Sequence, residues 1–187
     1  MIHSVKFKAV LDTNVIYPIV IRDLLFWFAH HELYTPKWSA TIFKEWKEVM
    51  IRKGLSEEEA NIRTQRANNA FPDALVLNYE SLITDLTLPD ENDKHVLAAA
   101  IKSNAHIIVT NNLKDFPEEY LDSFGIKAKS ADDFLTDIID LNPEIAIKAF
   151  KEMVLNRKNP KMDEFEVLES LRKLGLNDTA NYIHALL

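Results

Sequence analysis

Apolar and polar positions change their period repeatedly along the chain. Short apolar runs occur at Val5–Leu11 ("VKFKAVL"), Leu33–Thr35, Ala74–Leu77, His106–Thr110 and Ile126–Ala128. Between them lie helical stretches at 19–30, 39–53, 57–70, 91–103 and 117–123. This alternation predicts an α/β fold, a parallel sheet of five strands with helices on both faces. Ser56 with Glu59, and Ser130 with Asp133, have the spacing of helix-opening capping boxes. After "SADDFLTDIIDL" the strand pattern ends. Asn142-Pro143 is a helix start, and helical patterns alone follow at 143–157, 162–174 and 177–187, with Gly175 stopping the second. The expected organisation is an α/β domain over 1–141 and an all-helical extension over 142–187.

The extension carries one apolar stripe of Ile145, Ala146, Ala149, Phe150, Met153 and Val154, and another of Met162, Phe165, Leu168, Leu171 and Leu174. Ile183, Leu186 and Leu187 add to the last helix. So short a helical tail is marginal by itself. It is expected to cover the α/β core or complete a homodimer; the competing reading is a platform for a partner helix or structured RNA.

Composition narrows the chemistry. With 187 residues, 47% hydrophobic and 27% charged, the chain is of globular type. No window approaches the length of a membrane span, and "MIHSVKFKAV" reads as a first strand rather than a signal peptide, so a cytoplasmic location is expected. The absence of cysteine excludes disulfides, thiolate metal sites and cysteine nucleophiles. A net charge of −7 argues against a passive binder of phosphate backbones. It leaves room for an enzyme that meets phosphate through carboxylates and divalent cations.

In open parallel sheets, ligands bind beyond the carboxyl ends of the strands. Asp12 stands there after strand one, in "LDTN"; Asp90 and Asp93 open the helix before strand four; Thr110, Asn111, Asn112 and Asp115 follow strand four. Singly, each acid has a structural explanation: Asp90 as an N-cap with Asp93 as its partner, Asp115 as the cap of the helix beginning near Pro117. Glu45 is harder to explain so. It has Ile42 at i−3 and Val49 at i+4 and borders the apolar stripe of its helix, whereas Glu48 faces water. An inward carboxylate is costly unless it is paired or bound to a cation; otherwise it snorkels outward. The six histidines show no ligand spacing, and His95, two residues from Asp93, is the one placed near the acids. Oxygen-only ligation suits Mg²⁺ or Mn²⁺.

"AVLDTNVIYP", an inward Glu45 and "LPDENDKHVLAAAIKSNAHIIVTNNLKDFP", in this order along the strands and helices, resemble the PIN domain family, and most closely the VapC-like toxin ribonucleases. The resemblance covers about 5–136; the tail lies outside the core PIN domain. It implies a three-layer fold around a parallel sheet and a divalent-metal-dependent endoribonuclease, with RNA as substrate and an antitoxin protein as partner. It places Asp12, Glu45 and Asp93 at the family's metal-binding acids, joined by Asp115, with Asn14 and Thr110 as orienting residues and Asp90 and Asn112 beside them. Many members have Asp where this chain has Asn112, which weakens a second metal position. The chemistry agrees: metal-bound carboxylates and an activated water suffice to cleave a phosphodiester. In the absence of cation, mutual repulsion is expected to raise at least one carboxylate pKa, and Asp12→Asn to relieve it.

A phosphatase using an aspartate nucleophile after strand one needs a second Asp two residues on, where Asn14 stands. A dinucleotide fold needs a Gly-rich turn there, but the first glycine is Gly54. A receiver-like signalling domain lacks its acidic pair. The remaining alternative is a non-catalytic PIN-like scaffold for RNA or protein. For RNA contact the basic positions Lys44, Lys47, Arg52, Lys53, Arg63 and Arg66 form a candidate rim, though they also read as a solvated face.

Overall fold

The computed structural model describes residues 7–187. The first strand was expected from Val5, and Val5 and Lys6 lie outside the described residues. Among the described residues there are five strands: β1 (Lys8–Leu11), β2 (Thr35–Ser39), β3 (Leu75–Val76), β4 (Ile107–Val109) and β5 (Lys127–Lys129). They form one parallel sheet in the order β3-β2-β1-β4-β5. Ala9, Val10 and Leu11 are all fully buried. Successive residues point to opposite faces, so both faces of the central strand are covered, as the parallel arrangement requires.

β2 departs from the sequence expectation by starting at Thr35 rather than Leu33. Pro36 hides it, because proline seldom sits inside a sheet. The register explains the tolerance. Thr35 N–H donates to Phe7 O on the β1 side (3.0 Å), and Trp38 N–H donates to Ala74 O on the other side (3.0 Å). Pro36 therefore turns its missing donor toward the β3 side, before β3 begins, where the strand has nothing to pair.

The helices are α1 (Thr13–Ile16), α2 (Ile19–His30), α3 (Ala40–Arg52), α4 (Glu57–Ala70), α5 (Glu80–Ile83), α6 (Lys94–Ser103), α7 (Glu118–Asp122), α8 (Ala131–Leu141), α9 (Pro143–Asn156), α10 (Glu164–Lys173) and α11 (Asn177–Leu186). The helix expected over 91–103 begins as a 3₁₀ turn, Glu91–Asp93, and a second such turn covers Leu113–Asp115. α1 and α5 are too short to leave a periodic signal. The Ser56–Glu59 box is complete. At α8, Ser130 caps Asp133 N–H, but Asp133 is one methylene too short to reach back and meets the Ser130 hydroxyl instead (2.7 Å).

The C-terminal helices fold onto the α/β body, α9 against α2 and α11 against α8. Their buried residues belong to the same hydrophobic cluster as the sheet. In α10 the buried face is Val167, Leu168 and Leu171. Phe165 and Leu174, expected on that stripe, are 60% and 43% exposed, and Leu186 and Leu187 also face out. The Asp163–Glu166 capping box starts the helix at Glu164 and turns Phe165 outward in the first turn. No helix among the described residues is long and apolar enough to cross a membrane.

α11 has no side-chain cap of its own. Asp132 of α8 provides one, accepting from Asp178 N–H (3.1 Å) and Thr179 N–H (2.8 Å). Asp132→Ala is expected to cost about 1–2 kcal/mol, the loss of a helix cap, with Asp132→Asn recovering most of it. Urea unfolding of the three proteins checks this.

Candidate functional site

The sheet order reverses between β1 and β4, because the chain runs outward from β1 through β2 and β3 and then returns to β4. That switch point opens a crevice at the carboxyl ends of the two strands. Asp12 and Thr110 stand at its floor, and both are buried. Asp12 N–H still donates to Val109 O (3.0 Å), so the residue continues the ladder before the chain turns into α1. Its carboxylate is held from three sides. Oδ1 accepts from Thr13 N–H (2.6 Å); Oδ2 accepts from Asn14 Nδ2 (2.6 Å) and Thr110 Oγ1 (2.8 Å). Burial raises the Asp12 pKa; the hydrogen bonds from Thr110 and Thr13 oppose the shift.

Asn14 also donates to Thr110 Oγ1 (2.9 Å), and its Oδ1 accepts from Asn111 N–H (2.9 Å). Asn111 Oδ1 in turn accepts from Ala131 N–H (3.2 Å), at the start of α8. A continuous chain of hydrogen bonds thus links Asp12 to the start of α8, the helix on which α11 packs.

Glu45 neither lies buried alone nor snorkels fully outward. Its side chain is about one-third exposed, at 35%. Oε2 accepts from Thr13 Oγ1 (2.6 Å), and Oε1 pairs with His95 Nε2 (2.9 Å). Burial pushes its pKa up, but the hydrogen bonds from His95 and Thr13 and the His95 charge outweigh it, and the net shift is downward. Glu48 is exposed, as expected.

Asp93 sits where α6 begins. Its Oδ2 is buried and has no hydrogen-bond partner among the described residues. Burial, then the charges of Asp12, Asp90 and Asp115, push its pKa up to about 6. The expected repulsion among the acids is therefore present, centred on Asp93. Carboxylate oxygens of Asp90, Asp93 and Asp115 lie within 4.8 Å of one another. Asp12 and Glu45 are not in that set, so the acids brought closest differ from the Asp12–Glu45–Asp93 trio expected to meet at one cation. The structural explanation holds in part for Asp90 and fails for Asp115. Asp90 caps the 3₁₀ turn through Asn92 N–H (2.9 Å), but Asp93 does not close a box with it. Asp115 does not cap α7; it accepts from Asn112 Nδ2.

The basic positions do not form one rim: Lys53, Arg63 and Arg66 line a groove, and the others lie apart from it. Lys44 is exposed, and its nearest acid is Glu48 at 3.9 Å; Lys47 pairs with Glu57 (2.9 Å); Arg52 is exposed at the end of α3. Arg63 is half-buried in a groove with Arg22 and Trp46. Thr13, His95 and Asn111 join the hydrogen-bonded constellation, in roles that the sequence did not assign them. Thr13 stands inside the "LDTN" turn, and the signal for His95 was its place two residues after Asp93. The signal for Asn111 is its place after strand four; its partners, about 97 and 20 residues away in sequence, leave no local trace.

A family model described as "PIN domain" matches residues 8–114, and one described as "VapC50 C-terminal domain" matches residues 131–185. The chain is 37% identical over 105 residues to "Putative ribonuclease VapC50" of Mycobacterium tuberculosis (strain ATCC 25618 / H37Rv). That match covers 56% of this chain and 62% of the relative, less than two thirds of its length. No solved structure matches the chain.

Proposed function

Because the chain belongs to the PIN domain family, with a C-terminal segment of the VapC50 type, we propose that it is a divalent-metal-dependent endoribonuclease, the toxin of a toxin–antitoxin pair. RNA as substrate, an antitoxin protein as partner, a cytoplasmic setting and the division into a nuclease domain to residue 141 and a helical extension beyond it belong to the same proposal. The observation that carries it is Asp93: a buried, unpartnered carboxylate oxygen beside two further acids, at the switch point of a parallel sheet.

A divalent cation fits these residues. The donor set is all oxygen, and the charges of Asp12, Asp90 and Asp115 help to raise the pKa of Asp93. Asp93, Asp90 and Asp115, with Asp12 beside them, would hold Mg²⁺ or Mn²⁺. When bound, the cation supplies polarisation of a phosphoryl oxygen and a lowered pKa for a coordinated water. The chain's own groups do the positioning. Thr13, Asn14 and Thr110 fix both oxygens of Asp12, and Asn112 orients Asp115. His95 and Thr13 keep Glu45 ionised, so it adds a fixed negative charge within electrostatic reach of Asp12.

Asp12→Asn tests the assignment. The new amide would set a donor against Asn14 Nδ2, so the substitution is expected to destabilise the fold by about 1–3 kcal/mol rather than to relieve repulsion. Cleavage of RNA should fall by at least about a hundredfold, as for loss of a group that acts on transition-state charge. An Asp12→Asn protein that is folded and cleaves RNA at the parental rate would remove Asp12 from the reaction. A second expectation concerns Asn112. Asn112→Asp would place a carboxylate against Asp115 and is expected to tighten a second Mn²⁺ position, read by calorimetry as a second binding event; an unchanged single event would contradict it.

A further inference from the structure

On the face of α3 adjoining Glu45, Trp46 looks away from the acids into a groove of opposite charge. Two adjacent cavities of about 420 and 440 Å³ share Ile19, Arg22 and Arg63 in their walls and together make a groove between α2, α4 and the segment after α9. Five cations line it, namely Arg22, Lys53, Arg63, Arg66 and Arg157, against one acid, Asp23. In a chain of net charge −7 this is a marked local reversal.

The groove is short of acceptors. Asp23 is already taken on both sides, by Arg22 (3.1 Å) and Arg157 (3.2 Å). Arg157 Nε is buried without a hydrogen-bond partner among the described residues, and its side chain is only 10% exposed. Trp46 Nε1 is likewise buried and unpartnered, and Arg22 lies over the Trp46 ring at 5.4 Å. Unpaired buried donors are uncommon and costly. Burial, together with the charges of Arg63 and Arg157, lowers the Arg22 pKa from its usual value, so the guanidinium groups repel one another. An anion with several acceptor oxygens relieves both the repulsion and the unmet donors, and guanidinium forks match a phosphate in shape.

We infer that the Arg22–Arg63–Arg157 groove is a phosphate-binding subsite that holds the RNA backbone to one side of the acidic centre. The inference rests on the ribonuclease reading for the identity of its occupant. Because Arg157 follows α9, the C-terminal helices complete this subsite as well as covering the core.

The test uses the full chain in EDTA, so that binding is read without cleavage. A fluorescent single-stranded RNA is titrated over a range of salt, and thermal unfolding is followed in inorganic phosphate and in chloride at equal ionic strength. Arg63→Gln is the principal variant, because Arg63 makes no hydrogen bond or close ion pair among the described residues and its charge acts within the protein only on Arg22 and the exposed Glu59; Arg157→Gln and Arg157→Lys accompany it, each accepted only if it melts cooperatively. Phosphate is expected to raise the wild-type melting temperature. Arg63→Gln should reduce that rise and lower the slope of log affinity against log salt by roughly 0.7, one single-strand phosphate contact. Arg157→Lys should keep the slope but lose affinity, since it keeps the charge and loses the fork. Unchanged affinity and slope in Arg63→Gln would overturn the inference, as would the absence of phosphate stabilisation in the wild type. If phosphate stabilises the protein through Arg63 while the wild type binds no RNA, the ribonuclease reading and RNA as occupant both fall, and the anion site stands. Competition by poly-aspartate as strong as by RNA would overturn phosphate in favour of a carboxylate ligand.

Discussion

Asp93→Asn is expected to abolish divalent-metal binding and to lower RNA cleavage by at least about a hundredfold, on the scale of several kcal/mol of transition-state charge stabilisation, while making the metal-free protein more stable near neutral pH. The second effect follows from linkage. Burial and the charges of Asp12, Asp90 and Asp115 put the folded-state pKa of Asp93 at about 6, above the ordinary aspartate value. A raised carboxyl pKa means that the folded state binds the proton more tightly than the unfolded chain. Between the unfolded and folded values, roughly pH 4 to 6, stability therefore falls as pH rises, and the ionised group burdens the fold at pH 7. The full shift would amount to about 3 kcal/mol; because the group is half-exposed and solvent screens it, about 1 kcal/mol is the realistic gain on neutralisation. Two measurements check this. Thermal unfolding in EDTA should show the parent gaining stability from pH 7 to pH 5 and the variant gaining less. Mn²⁺ affinity of the parent should fall as pH drops through 6, because the cation must displace the proton. A variant that binds Mn²⁺ like the parent would remove Asp93 from the site.

Truncation after Leu141 is expected to destroy the cooperative fold of the remaining chain. The last three helices bury Phe150, Met153, Val167, Leu168, Leu171 and Ile183 almost completely. At about 1.5–3 kcal/mol for each large apolar side chain, this burial is worth on the order of 10 kcal/mol, comparable to the whole net stability of a domain, about 5–15 kcal/mol. The fragment would bare the faces of α2 and α8 on which α9 and α11 pack. It should therefore aggregate or bind a hydrophobic dye without a cooperative melt. A monodisperse 1–141 fragment with a sharp thermal transition would contradict this and favour a separable platform.

What the sequence reveals divides along physical lines. The βα alternation and helices such as α2 are written in apolar period, whereas α4, which buries only Ala60 and Ala67, is marked by its Ser56–Glu59 capping box. β2 is displaced because Pro36 reads as a breaker, and only the sheet register shows that its missing donor faces no neighbour. The carboxylates are legible as types at strand ends, since a parallel sheet fixes where such residues gather. Their grouping is not, because it depends on the 3₁₀ turns at Glu91–Asp93 and Leu113–Asp115, which bring Asp90, Asp93 and Asp115 together and have no periodic signal. Asp12 and Glu45 are each bound by protein donors, Thr13 serving both, a contact across about 32 residues that no local pattern encodes. The arginine groove is hidden for the same reason: its members come from α2, α4 and the segment after α9, and only the fold assembles them.

The central claim, that the acids at the switch point serve a metal-dependent ribonuclease, is tested most directly by incubating end-labelled cellular RNA with the 187-residue chain in EDTA, in Mg²⁺ and in Mn²⁺, with Asp93→Asn run in parallel. Discrete cleavage products are expected with the parent in Mg²⁺ or Mn²⁺, and none in EDTA or with the variant. Equal cleavage in EDTA, or equal cleavage by Asp93→Asn, would contradict the account.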